Sequence, residues 1–213
     1  MRVNIQCEQA VNRKIIRYGE GGLGVNLEND RFYGNIVCIG DSMFRFLSLY
    51  LGVLVYFFPR AEVCDILQKV LNGGISKRVL IDYAIIFIHL GTNNIGNGTY
   101  KNVKNDMERL VDALMAINPT VKIVISGILP RPCDFNITNP IVKEVNRELA
   151  SWCKYNNCKF IKTFRPFIKN NKLCENWQEL YTLSSKFGWL HLSPRGYQHV
   201  VGALRNAINQ WVT

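Results

Sequence analysis

Apolar residues fall along this chain in short dense runs, separated by stretches with helical spacing. Ile36-Val37-Cys38-Ile39 predicts a strand, as do Val53 to Phe58, Tyr83 to Leu90, Val121 to Ile125 and Lys159 to Thr163. Runs of this length, rich in β-branched residues, suit strands buried on both faces. Between them, Glu62 to Leu71 carries Val63, Ile66, Leu67, Val70 and Leu71 at helical spacing, closed by Gly73-Gly74. Further helices are predicted over Lys101 to Ile117, over Pro140 to Tyr155 with its proline in the first turn, and over Pro194 to Trp211. Phe44 to Tyr50 is apolar on every side and predicts a buried helix stopped by Gly52. The stretch from Gly91 through Asn94 reads as a loop, and 164–190 as a long connection with only short ordered pieces. Residues 1–33 show no period, so they predict an extension or arm ahead of one domain over 34–213.

Strands alternating with helices argue for a parallel sheet with helices on both faces. In such folds the ligand site lies at the carboxyl ends of the strands. Ser42 and Asn93 each follow a predicted strand directly, so both belong to one rim of the sheet. Ser42, in Gly40-Asp41-Ser42, sits where a strand ends and a helix begins. Backbone N–H groups point outward at such a place and favour a developing negative charge, which suits a nucleophile. The same two residues also make an ordinary helix N-cap. Of the three histidines, His89 falls inside an apolar strand and reads as core, while His199 lies in the last helix and reads as structural or exposed. His191 precedes that helix, and from there it can serve Ser42 as general base.

Gly40-Asp41-Ser42, Gly91-Thr92-Asn93 and His191-Leu192-Ser193, in that order and strand context, resemble the blocks of the SGNH hydrolases, or GDSL-type esterases. The resemblance covers roughly residues 34–212. It implies a flavodoxin-like three-layer αβα sandwich on a five-stranded parallel sheet. It also implies a serine esterase acting on carboxylic esters of short acyl groups, lipids or sugars, without metal or cofactor. Ser42 would be the nucleophile, His191 its base, and the Ser42 N–H and Asn93 amide would form the oxyanion hole. Phe58-Pro59-Arg60-Ala61 resembles the Pro-Gly-Ala segment of many relatives, which adds Arg60 to the hole, although a non-glycine residue does not easily adopt positive φ. Gly73 or Gly74 is the alternative counterpart of that glycine. A second departure lies at Gly188, where the family places the acid that orients the histidine; Glu175 and Glu179 are candidate replacements. Loss of such an acid costs roughly 10⁴-fold in a Ser-His-Asp enzyme. The rival reading is therefore an SGNH-like binding module with impaired catalysis.

The net charge of +10 allows an acidic partner, either nucleic acid or an anionic lipid surface. Its scattered Lys and Arg are equally those of a solvated basic surface. Seven cysteines, an odd number without a C-x-x-C, fit reduced thiols better than a disulfide framework or a zinc site. With no apolar signal segment at the N-terminus, the expected location is intracellular, in the cytoplasm. The basic balance and this location are also compatible with the esterase domains of some retrotransposon-encoded proteins, which the chain resembles.

Overall fold

The computed structural model describes residues 35–185 and 188–212, with backbone alone for the last three of these. The arm expected over 1–33 lies outside the described residues. Five strands, β1 (Ile36–Gly40), β2 (Leu54–Phe57), β3 (Ile85–His89), β4 (Lys122–Ser126) and β5 (Cys158–Ile161), form one sheet in the order β2-β1-β3-β4-β5. Every pairing is parallel. Parallel strands need crossovers, and helices supply them. These are a short α1 (Ser48–Leu51), then α2 (Val63–Leu71), α3 (Lys77–Asp82), α4 (Thr92–Asn97), α5 (Val103–Ile117) and α6 (Phe135–Tyr155). Beyond β5 come two small hairpins, β6 (Ile168–Lys169) with β7 (Lys172–Leu173) and β8 (Tyr181–Ser184) with β9 (Gly188–Leu192), with α7 (Trp177–Leu180) between them. The last helix, α8, spans Pro194–Val212. Among the described residues no helix is long and apolar enough to cross a membrane.

The period-two alternation of the strands divides the core into two halves. Val37, Ile39, Ile86, Ile88, Ile123 and Ile125 face α2, α5 and α6. Ile36, Cys38, Ile85, Phe87 and Val124 face the opposite layer, with Leu47, Leu51 and the Val200, Leu204 and Ile208 stripe of α8. The result is the three-layer αβα sandwich. Its strand order reverses between β1 and β3, and in open α/β sheets the crevice at that switch point is where ligands bind.

Three local expectations change. The segment after β1 is not one buried helix: a 3₁₀ turn (Ser42–Phe44) leads to α1, and Phe46 and Leu49 are 44% and 67% exposed. The predicted loop after β3 is a helix, α4, held between left-handed glycines at Gly91 (φ 109°) and Gly98 (φ 80°). Helix α6 begins five residues ahead of Pro140, which therefore lies inside it. A proline there removes the hydrogen bond to the carbonyl four residues back; that residue, Asn136, is exposed, so water can take the carbonyl. The connection over 164–190 holds only short ordered pieces, as expected: β6, β7, α7, β8 and the start of β9.

Candidate active site

The rim at the switch point is built from the segments that follow β1, β2 and β3. The Asp41 N–H donates to the His89 carbonyl (3.2 Å) and the Phe58 N–H to that of Gly40 (2.9 Å), tying the three strand ends together. Gly40 is needed here for closeness rather than for φ: a Cβ would lie 3.1 Å from the Phe44 Cβ and 3.2 Å from the His89 carbonyl oxygen. The next residue, Asp41, caps the 3₁₀ turn by accepting the Met43 N–H at 2.9 Å. Ser42 then takes the first position of the turn. The N-cap reading of Asp41-Ser42 thus belongs to Asp41.

Ser42 Oγ lies 3.1 Å from His191 Nε2. His191 comes from β9 rather than from a loop, and it is 8% exposed. Its backbone is pinned by the Thr182 hydroxyl, which donates to the His191 carbonyl (3.2 Å). Ser193 in turn fixes the start of α8: its Oγ accepts the Gly196 N–H at 3.2 Å and donates to the Glu179 carbonyl. One turn into α8, the Tyr197 hydroxyl donates to the Met43 carbonyl at 2.7 Å, locking the histidine-bearing segment against the serine-bearing one. Sequence reasoning missed Tyr197; its signal is its place one turn into the helix that follows the histidine.

Asn93, in the first turn of α4, donates Nδ2–H to the Ala61 carbonyl at 2.8 Å. An amide carries two N–H donors, and among the described residues the second has no acceptor. Arg60, just before Ala61, has φ 63°. It therefore occupies the left-handed backbone that a glycine would take without strain, contrary to the expectation that a non-glycine residue avoids it. Gly73 and Gly74 do not replace it, because they follow α2 at the end remote from Ala61. The candidate acids have cationic partners of their own: Glu175 pairs with Lys169 (3.3 Å) and Glu179 with Arg195, all four exposed.

Two buried groups beside the site are displaced from their ordinary pKa. Burial pushes the Asp41 carboxyl up to about 7, against the opposing pull of the Met43 N–H, Thr92 and the Arg131 charge. Burial drives His89 down to about 3. Its Nδ1 meets Ser126 Oγ at 2.9 Å and its ring stacks on Phe44 at 4.2 Å, as a core residue's would, but its buried Nε2 has no partner among the described residues. Of the two readings of His199, structural or exposed, the structure shows it exposed. His191 is lowered by burial first and by the Arg45 charge second, so its imidazole is neutral near pH 7, the form a general base needs.

Gly188 has φ 60°, and a Cβ there would meet the Cys133 Cβ at an ordinary 3.5 Å. The ladder pairs Ser184 with Gly188 and Thr182 with His191, slipping by one residue in between. Paired residues point to the same side, and Ser184 and Thr182 share a side. Gly188 and His191 therefore share one too, although three residues apart. Gly188→Asp thus puts a carboxylate on the histidine's side of the hairpin, at the cost of a left-handed aspartate, about 1 kcal/mol. The expected result is a melting temperature lower by about 2–4 °C, with the acid limb of the pH–rate profile moved to higher pH. Gly188→Ala supplies the strain without the charge. If both variants give the same profile, the carboxylate does not reach His191.

Comparison with known proteins bears on this arrangement. A family model described as the GDSL-like Lipase/Acylhydrolase family matches residues 63–199. That span includes Asn93 and His191 and begins after Ser42. The chain is 25% identical over 186 residues to platelet-activating factor acetylhydrolase IB subunit alpha2 of Gallus gallus, covering 83% of this chain and 76% of the relative. It is similar in structure to a GDSL-like lipase from Bacteroides thetaiotaomicron, with TM-score 0.65, 16% identity, and 84% and 89% of the two chains covered. It is likewise similar to a carbohydrate esterase family 3 protein from Talaromyces cellulolyticus, with TM-score 0.62, 14% identity, and 84% and 98% covered. At these identities the structural likeness shows the fold alone.

Proposed function

Because the chain belongs to the GDSL-like lipase/acylhydrolase family, a family of hydrolases, we propose that it is a serine esterase in which Ser42 is the nucleophile and His191 its base. The observation that carries this reading is the 3.1 Å approach of Ser42 Oγ to His191 Nε2, between residues 149 apart in the chain. Neutral His191 takes the hydroxyl proton as Ser42 Oγ attacks the ester carbonyl. The carbonyl π electrons move to oxygen, and the oxyanion is received by the backbone N–H of Ser42, the second Nδ2–H of Asn93 and the N–H of Arg60. As the tetrahedral intermediate collapses, the imidazolium gives its proton to the departing alcohol, leaving an acyl-serine. Water then attacks that ester while His191 accepts its proton. The second collapse frees the acid and returns the proton to Ser42 Oγ. The acetylhydrolase relatives support a short acyl group as the one transferred.

The test is covalent labelling. A fluorophosphonate should modify the wild-type protein on Ser42 and leave Ser42→Ala unmarked. Absence of labelling in the folded wild-type protein, or labelling that persists in the variant, overturns the assignment.

A further inference from the structure

We propose that the ester taken by this site is anionic, with a carboxylate or phosphate near the scissile carbonyl held by Arg45 and Arg60. This rests on the esterase reading of Ser42 and His191. The two cations stand on the segments that frame the serine. Arg45 comes three residues after Ser42 in the segment following β1, its guanidinium carbon 4.4 Å from the centre of the Phe46 ring. Arg60 comes immediately before Ala61, whose carbonyl holds Asn93. Both are exposed, and among the described residues neither has a carboxylate partner. The nearby acids are engaged with other groups. Glu62 accepts from Asn94, Asn97 and Thr99, Asp65 accepts the Glu62 N–H, and Asp41 is buried beneath the serine turn.

Arg60 also opens into a groove of about 670 Å³ beside α2, which Phe58, Asp65, Gln68 and Lys69 help to line. There the Lys69 ammonium stands 5.0 Å from the centre of the Phe58 ring, a second cation in the same groove. A left-handed Arg60 (φ 63°) places a guanidinium where glycine would be unstrained, and a strained backbone beside a reacting centre points to a use for its side chain. The chemistry of the base agrees with an anionic substrate. Arg45 disfavours the imidazolium that His191 must become during attack. A negative charge bound against Arg45 offsets that effect, so the substrate's charge assists the step as well as the binding.

Two pairs of esters test this, at low salt where exposed charges are least screened. On the acyl side, para-nitrophenyl butyrate is compared with the mono-para-nitrophenyl ester of succinate. On the alcohol side, acetoxy-nitrobenzoate is compared with its methyl ester. In one pair at least, the anionic member should show kcat/KM about tenfold higher. It should also bind Ser42→Ala about tenfold more tightly, a readout independent of turnover. Arg45→Gln combined with Arg60→Gly should bring both ratios close to one, while Arg45→Lys keeps most of the preference; Arg60→Gly also relieves the backbone, so folding is not at risk. Equal affinity of Ser42→Ala for both members of both pairs overturns the proposal, as does a preference that survives the double substitution. A preference in binding without turnover of any ester would instead remove the hydrolase reading and leave the anion site standing.

Discussion

His191→Ala should lower kcat on a short-chain aryl ester by about 10⁴-fold or more, leaving the residual rate that binding and the oxyanion donors provide. Without the imidazole, the Ser42 hydroxyl keeps its proton at neutral pH and attacks poorly. The fold should survive, since the ring lies at the rim with Nε2 turned to Ser42, and Thr182 pins the backbone there through the His191 carbonyl, which alanine keeps. In the wild-type protein the same group should set the acid limb of kcat/KM. His191 is lowered from 6.5 by burial and by Arg45, so activity persists below pH 6.5 and falls as the ring at last protonates. Stability moves in the same direction through His89. Its folded pKa, about 3, lies below the unfolded 6.5, so its contribution is full above pH 6.5 and is lost progressively as the pH falls towards 3. Asp41 acts oppositely: raised to about 7, it favours the folded state at low pH and loses that contribution as the pH rises from the unfolded carboxylate range through 7. Rates measured after return to neutral pH separate titration of His191 from unfolding. If His191→Ala stays within tenfold of the wild-type rate, His191 is not the base.

The parallel strands were legible in the sequence because strands buried on both faces are dense in Ile, Val and Phe, as β1 and β3 are. The amphipathic α2 was equally plain, from Val63, Ile66, Leu67 and Val70. Helix α4 was not, because Thr92-Asn93-Asn94-Ile95-Gly96-Asn97 has no helical propensity to show. That segment is held by tertiary bonds, such as the Val63 N–H donating to Asn94 Oδ1 (3.2 Å). The strand identity of His191 was hidden for a related reason. Residues 188–192 alone carry no strand alternation, and only the pairing with β8 and its one-residue slip makes them one. Chain order brought Ser42, Asn93 and His191 into consideration, but it could not show the left-handed turn at Arg60 or the hydroxyl of Tyr197, since both depend on what lies across the rim.

Asn93→Ala should lower kcat by about 10²–10³-fold, the effect of losing one donor to the oxyanion. The neighbouring Asn94→Ala should do nearly the reverse. Asn94 is fully buried, with Nδ2 donating to Glu62 and Thr99 and Oδ1 accepting the Val63 N–H. Its removal leaves the buried Val63 N–H without its acceptor, at about 1–3 kcal/mol, or a melting temperature lower by about 2–12 °C, while kcat stays within tenfold. Asn93 is half-buried, and its bond to the Ala61 carbonyl costs little when lost. That bond has a second consequence. It holds the turn that carries Arg60, so Asn93→Ala should also raise KM, and more for an anionic ester than for a neutral one. The two variants together separate support of the rim from stabilisation of charge, because the residues are adjacent in one turn of α4 and differ in where their amides point. If Asn93→Ala keeps kcat within about threefold while Ser42→Ala abolishes activity, the oxyanion is received by backbone N–H groups alone and Asn93 serves only the Ala61 turn.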